Sequence, residues 1–301
     1  MRAKGMPYVC PRDQTTLRLS ATAVNGDEIR AGELVATNGA RYPINDGIPD
    51  FVKDSELEES DLRALRDYEQ HGRNYDQNLP IIFQTIGEDE LINRRKIVAK
   101  LGLKGSERVL EVGCGSGRDT ELIAKLLNHG GKLYAQDLSL QMLRLCQERM
   151  QQQSSPSVEL ARANGSALPF PDDYFDAVFH FGGLNTFAGI CQAFAEFARV
   201  TRAGGKVVAG DEGVAPWLRS TLMGKILRHN IPLFACEAPL SKIPLAARNV
   251  TVEWVFGGFF YVIDFEVSKA EPQYNIDIPL PHGGTNRTRY FSDPETKEPG
   301  K

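Results

Sequence analysis

The chain has 301 residues, 42% hydrophobic and 25% charged, a globular composition that excludes a largely disordered protein. Lys and Arg total 35 against 39 Asp and Glu, so the net charge is −4 and general attachment to nucleic-acid phosphates is disfavoured. Five scattered cysteines with no CxxC pair fit neither a disulfide framework nor a zinc site, and no metal is expected.

Residues 1–53 read as short strands and turns. Asn25-Gly26 and Asn38-Gly39 each sit between strand-like runs, and Asn-Gly supplies the positive φ of a tight hairpin. This segment is too small for a strong core of its own and is expected to pack on the rest. Residues 54–105 change to a charged, helical pattern. Ser55 to Tyr68 forms one predicted helix and Asp89 to Leu101 a second, closed by Gly102 and Gly105. They read as a helical cap or linker.

Residues 106–269 alternate. Strands are predicted at Arg108–Val112, Lys132–Gln136, Val158–Arg162, Phe175–His180 and Lys206–Asp211, with helices at Asp119–Asn128, Gln141–Gln152 and Gln192–Arg202. That order implies an α/β fold with a mostly parallel sheet and right-handed crossovers. Residues 213–248 read as an insertion, a candidate substrate lid. Val250–Val255 and Phe260–Val267 then form an antiparallel pair that ends the sheet. Residues 270–301 are a Pro-rich, polar tail. No apolar run approaches the ~18 residues of a membrane helix, and Met1 to Asp13 carries no secretory h-region. The expectation is a reduced, cytoplasmic, soluble protein.

The strongest chemical signal is the run from Val109 to Thr120, where a buried-type strand enters glycines at 113, 115 and 117 and then a helix. Glycine lets a ligand approach the backbone where a Cβ would collide. The G-x-G-x-G spacing differs from the dinucleotide fingerprint, and no lysine follows to meet a triphosphate. Asp137 ends the next strand about 20 residues on, at the distance of a ribose-binding acid. Asp137 or Ser139 also serves as a helix N-cap, and the two roles are compatible.

A third element, Ala167-Leu168-Pro169-Phe170 leading to Phe175-Asp176, completes a pattern. With Glu111-x-Gly113-x-Gly115-x-Gly117, with Asp137-Leu138-Ser139 before Met142-Leu143, and with Arg199-Val200 before Gly204-Gly205-Lys206, the chain resembles the class I S-adenosylmethionine-dependent methyltransferases. The likeness is to their small-molecule group, which includes the ubiquinone and menaquinone methyltransferases, and covers about residues 70–268. It implies a Rossmann-like, doubly wound, seven-stranded sheet with an antiparallel last strand. It implies S-adenosylmethionine as cofactor and S-adenosylhomocysteine as product. Gly113, Gly115 and Gly117 would form the cofactor turn, with Glu111 orienting the methionine amine and Asp137 holding the ribose. Leu138 and Met142 would lie near the adenine, followed by Asn164, Gly165 and Ser166, Asn164 standing where the family often has Asp. His180 and Phe181 would line the methyl-transfer pocket.

Residues 1–53 separately resemble the small zinc-ribbon fold of a methyltransferase activator subunit, through Cys10-Pro11 and the run from Tyr42 to Pro49. The other metal thiolates are missing, so a ribbon that has lost its metal is expected.

For catalysis, His180 is the best-placed base, with a packing role as its alternative. Asp211 and Glu212 end the next strand as base, metal ligands or caps. Tyr68, Tyr75 and Phe83 are candidates for a cap over the cofactor. Tyr75, His229, Arg287 and Arg289 are candidates for substrate contact. The partner expected is a small-molecule substrate, with a homodimer allowed. Nucleic acid and membrane insertion are disfavoured. The rival readings are an RNA base methyltransferase and a cofactor-binding protein that transfers no methyl group.

Overall fold

A computed structural model describes residues 1, 6–128, 130–152, 158–272, 274, 275 and 277–287, with the backbone alone for Tyr75. Both Asn-Gly turns form as expected. Gly26 (φ 61°) links β1 (Leu17–Asn25) to β2 (Glu28–Ala36), and Gly39 (φ 85°) links β2 to β3 (Arg41–Asn45). With β4 (Ile48–Pro49) they make a four-stranded antiparallel sheet in sequential order. Tyr8, Tyr42 and Phe51 of this segment share one core with Tyr134, Phe170 and Phe175 of the main domain. Cys10 is buried, with its sulfur 3.2 Å from the Tyr42 hydroxyl. Among the described residues, no group of three or more His, Cys, Asp or Glu is placed to hold a metal.

Two helices follow, α1 (Glu59–Thr85) and α2 (Glu90–Ala99). The expected end of the first helix near Tyr68 is corrected, because α1 runs on through Pro80. Proline has no N–H and so leaves the carbonyl four residues earlier without its helical donor. That carbonyl belongs to Asp76, and it accepts instead from the Arg118 guanidinium. A tertiary bond thus replaces the missing rung.

The main sheet comprises β5 (Arg108–Val112), β6 (Lys132–Asp137), β7 (Val158–Arg162), β8 (Phe175–Phe181), β9 (Thr201–Glu212), β10 (Ala247–Val255) and β11 (Phe260–Val267). Their order is β10-β11-β9-β8-β5-β6-β7. β5 to β9 run parallel, and β11 pairs antiparallel with both β9 and β10. The crossovers are α3 (Arg118–Leu126), α4 (Leu140–Gln151) and α5 (Ile190–Val200). α5 stops at Val200, before the expected Arg202. Thr201 already pairs with Phe175 on β8, and its hydroxyl donates to the Phe197 carbonyl at 2.6 Å. The 213–248 insertion carries α6 (Leu222–Asn230).

The N-terminal sheet closes an edge that would otherwise be open. The Phe51 amide donates to the Arg162 carbonyl of β7 at 2.8 Å, and the Arg162 guanidinium reaches Asp50 at 3.0 Å. A bare outer strand is a template for aggregation, so this covering matters to solubility. Residues 270–301 form a separate unit, in which Arg287 pairs with Asp277 at 2.8 Å. Among the described residues, no helix is long and apolar enough to cross a membrane.

Candidate functional site

Strand order reverses between β5 and β8, and in such sheets ligands bind beyond the strand ends at that point. β5 leads into Gly113, Gly115 and Gly117, with φ of 65°, 53° and 86°. A Cβ on Gly113 would lie 3.2 Å from the His180 ring, and one on Gly117 would lie 2.8 Å from the Cys146 sulfur. The two glycines therefore do different work. Gly113 lets the loop lie against His180 at the cavity, while Gly117 begins α3 and lets it close on α4.

Asp137 ends β6 as expected and grips both sides of the site. One carboxylate oxygen accepts from the Gly115 amide at 2.8 Å and the other from the Ser139 amide at 2.8 Å. Ser139 caps α4 by accepting from the Met142 amide at 3.2 Å. Burial pushes the Asp137 carboxyl up to about 6, against the lowering effect of these amides. Each oxygen retains lone-pair capacity for a further donor.

A cavity lies over this turn. Its floor is Gly113, Gly115, Asp137, Leu138, Met142, Asn164 and Gly165. One wall comes from the end of β8 and the loop after it, His180, Phe181, Thr186 and Phe187, with Glu212 and Phe260 beside them. The roof is α1, through Asp61, Leu65, Tyr68, Asp76, Leu79 and Phe83.

Charged anchors fix the roof. Asp76 accepts from the Ser116 hydroxyl, from Arg118 Nε at 2.8 Å and from Arg149 at 3.3 Å. Glu69 accepts from the Ser139 hydroxyl at 2.9 Å. Asp61 accepts from the Ala188 amide at 3.0 Å and from the Asn164 side-chain amide at 3.3 Å.

His180 is fully buried, and its Nδ1 lies 2.7 Å from the Val112 carbonyl oxygen. A carbonyl can only accept, so Nδ1 carries the hydrogen and Nε2 is left with a lone pair. Nε2 has no hydrogen-bond partner among the described residues. Burial lowers the imidazole pKa, which keeps the ring neutral near pH 7. Glu212 behaves oppositely. Burial and the neighbouring Asp211 charge push its carboxyl well up, and its Oε2 has no hydrogen-bond partner among the described residues. Arg94 closes this end, bonded to Glu90 at 2.8 Å and to Asp119, with its guanidinium 5.4 Å from the Phe181 ring centre.

Several expected residues lie elsewhere. Asp211 does not line the cavity. Its carboxylate accepts from the amides of Gly183, Asn185 and Glu212, which fasten the loop after β8. Glu111 is buried behind the glycine turn, its carboxyl pushed well up by burial, and Ser166 bonds to Asn164 and Gly189 beside the cavity. His229 is exposed on α6, and Arg287 belongs to the separate C-terminal unit. Arg289 and the Tyr75 side chain fall outside the described residues. The residues that sequence reasoning missed are Asp61, Asp76, Arg94 and Phe187. Asp76 lies beyond the predicted end of the first helix at Tyr68, and Asp61 lies within that helix but meets its partners Asn164 and Ala188 only 103 and 127 residues further on.

Comparison with known proteins agrees with this geometry. Residues 110–209 match the family described as "Methyltransferase domain". A demethylmenaquinone methyltransferase from Lactiplantibacillus plantarum is 36% identical over 116 residues, 38% of this chain and 49% of that protein. One from Corynebacterium urealyticum is 32% identical over 155 residues, 52% of this chain and 62% of that protein. A ubiquinone/menaquinone biosynthesis C-methyltransferase from Francisella philomiragia is 28% identical over 116 residues, 38% of this chain and 46% of that protein. The chain spans about half the length of the first of these curated relatives.

Among solved structures, a chain of the Haloferax volcanii Trm112 activator–methyltransferase complex superposes with a TM-score of 0.52 at 10% identity, covering 69% of this chain and 99% of that one. A Haemonchus contortus phosphoethanolamine N-methyltransferase, solved with S-adenosylmethionine, gives 0.51 at 15% identity, covering 76% of this chain and 62% of that one. These two support the fold. Residues 110–209 therefore carry a methyltransferase domain.

Proposed function

We propose that the chain transfers a methyl group from S-adenosylmethionine to a small aromatic acceptor. The observation that carries the reading is the Asp137 carboxylate, tied to the Gly115 and Ser139 amides on the floor of a cavity with orphaned buried polar atoms in its walls. Those residues fit the cofactor. Asp137 would accept from the ribose hydroxyls, Gly113 and Gly115 would give its backbone room, and Leu138, Met142 and Asn164 would hold the adenine.

Bound S-adenosylmethionine supplies an electrophilic sulfonium methyl group. The protein's own work is to align the acceptor and take up its proton. His180 Nε2 is the base in this reading, because its lone pair is fixed by the Nδ1 bond to Val112. Glu212, whose carboxyl burial pushes well up, lines the same cavity and hydrogen-bonds an acceptor oxygen in this reading. Phe181, Phe187 and Phe260 offer ring faces and edges to a flat acceptor. The printed names of the relatives place their acceptors among quinones, which are flat and carry ring oxygens.

Calorimetric titration with S-adenosylmethionine and S-adenosylhomocysteine, then methyl incorporation into a panel of phenols and quinols, tests the reading. Saturable binding that is lost in Asp137→Ala supports it. Absence of saturable binding to the wild-type chain overturns it.

A further inference from the structure

The insertion carries a feature that the methyl-transfer site does not use. α6 is apolar on two sides. Its inner side, Gly224 and Leu227 with Met223 beside them, packs into the core. Its outer side presents Leu222, 77% exposed, and Ile226, 42% exposed, one helical turn apart. Trp217, five residues before Leu222, is 65% exposed and meets the rest of the fold edge-on at Trp254, with ring centres 5.4 Å apart. An apolar outer face on a surface helix is what the amphipathic pattern normally forbids.

The charge around this face is one-sided. Residues 213–236 contain Arg219, Lys225, Arg228 and His229 and no Asp or Glu, in a chain whose net charge is −4. Arg219 pairs with Glu237 at 2.7 Å, whereas Lys225 and Arg228 form no ion pair among the described residues. Lys225 lies between Leu222 and Ile226 on the exposed side, with His229 next along it. Leucine, isoleucine and tryptophan interleaved with unpaired cations are the composition of a helix that lies in the interface of an anionic bilayer. The lipid headgroups supply the missing negative charge, and the acyl boundary covers the apolar side chains. No spanning segment is needed, and α6, with 9 residues, is far too short to be one.

We infer that α6 and Trp217 form a docking face for an anionic membrane surface. The position of the face gives the docking a use. Phe234, also in the insertion, packs edge-on against Phe260 with ring centres 5.4 Å apart, and Phe260 lines the cavity. The insertion therefore joins the lipid-facing helix to the cavity's aromatic wall through one layer of rings.

Vesicle co-sedimentation of the full chain tests the inference and needs no cofactor, so its failure is distinct from failure of the methyl-transfer reading. Vesicles of phosphatidylcholine alone are compared with vesicles containing phosphatidylglycerol, at low and at about 0.5 M salt. The expected result is binding to the anionic vesicles, weakened by salt, with a blue shift of tryptophan emission. Lys225→Glu with Arg228→Glu is expected to lower partitioning at least about 25-fold, since each basic residue near the surface contributes roughly fivefold. Leu222→Ser with Ile226→Ser is expected to lower it about tenfold, and Lys132→Glu, on a different exposed surface, to leave it unchanged. Equal sedimentation with neutral and anionic vesicles, or wild-type partitioning by both double variants with native circular dichroism, overturns the inference. So does a dimer that Leu222→Ser with Ile226→Ser dissociates, because a second copy then covers the face.

Discussion

The imidazole Nδ1 of His180 sits 2.7 Å from the Val112 carbonyl oxygen, the last residue of β5 before the glycine turn. One hydrogen bond thus sets the tautomer of the candidate base and ties β8 to the loop that would hold the cofactor. In His180→Gln, methyl-transfer turnover is expected to fall about 100-fold, the usual range for a lost general base. The dissociation constant for S-adenosylmethionine should change less than about threefold. Steady-state kinetics with calorimetry on the same preparation separates the two. An equal loss in both would assign His180 to loop positioning alone.

Asp137 gives a pH dependence with a definite sign. Its folded-state pKa is about 6 against an ordinary 3.8, so burial favours the neutral acid. Its contribution to stability is therefore present below about pH 4 and is lost as pH rises through 6. Cofactor binding runs the other way, because the ionised form is the better acceptor for ribose hydroxyls. Affinity is expected to be about tenfold weaker at pH 5 than at pH 7. Calorimetry across that range should show the slope in the wild type and a flat profile in Asp137→Asn.

The roof predicts a different phenotype. Asp76 joins α1 to Ser116, Arg118 and Arg149, so Asp76→Ala releases three donors around the glycine turn. Arg149 loses its ion-pair partner and Arg118 keeps only Glu90, at a cost of about 1–3 kcal/mol. KM for S-adenosylmethionine is expected to rise about tenfold or more while kcat changes little. Stopped-flow measurement of cofactor release should show the same loss as a faster off-rate.

Gly117 is a packing position, and a double-variant cycle can show it. Gly117→Ala places a Cβ 2.8 Å from the Cys146 sulfur at a φ of 86°. A destabilisation of about 1–3 kcal/mol is expected from strain and overpacking together. Adding Cys146→Ala removes the collision but not the strain, so about half the loss should return. Denaturant midpoints of the four proteins measure the coupling.

Removing residues 1–52 should leave the cofactor turn intact but open the β7 edge and uncover Phe170 and Phe175. The expected outcome is aggregation at concentrations where the full chain stays soluble. Light scattering against concentration checks it.

The alternating strands and helices of the main domain were legible because each carries its own periodicity and glycine punctuation. Gly113, Gly115 and Asp137 were legible because their spacing along the chain is itself the signal. Asp211 stayed open as base, metal ligand or cap because its partners, the amides of Gly183 and Asn185, lie on another segment and leave no mark near residue 211. Arg94 was missed for the same reason, since Asp119 and the ring of Phe181 reach it only after folding. α1 was truncated at Tyr68 because the leucine pattern of positions 57, 62 and 65 stops there, and the Arg118 donor that holds the Asp76 carbonyl is 42 residues further on.

Pro80 has a consequence for how the roof is tied to the cofactor turn. The last turns of α1 are anchored by Phe83, whose ring packs 4.6 Å from Phe256 and 5.7 Å from Phe260. The stretch before Pro80 is held by side-chain bonds, by the buried Leu65 and Leu79, and by the exchanged rung at Asp76. The roof and the glycine turn are therefore joined through α1's backbone as well as through its side chains. The residue least suited to a helix interior frees the carbonyl through which the roof's backbone is tied to α3.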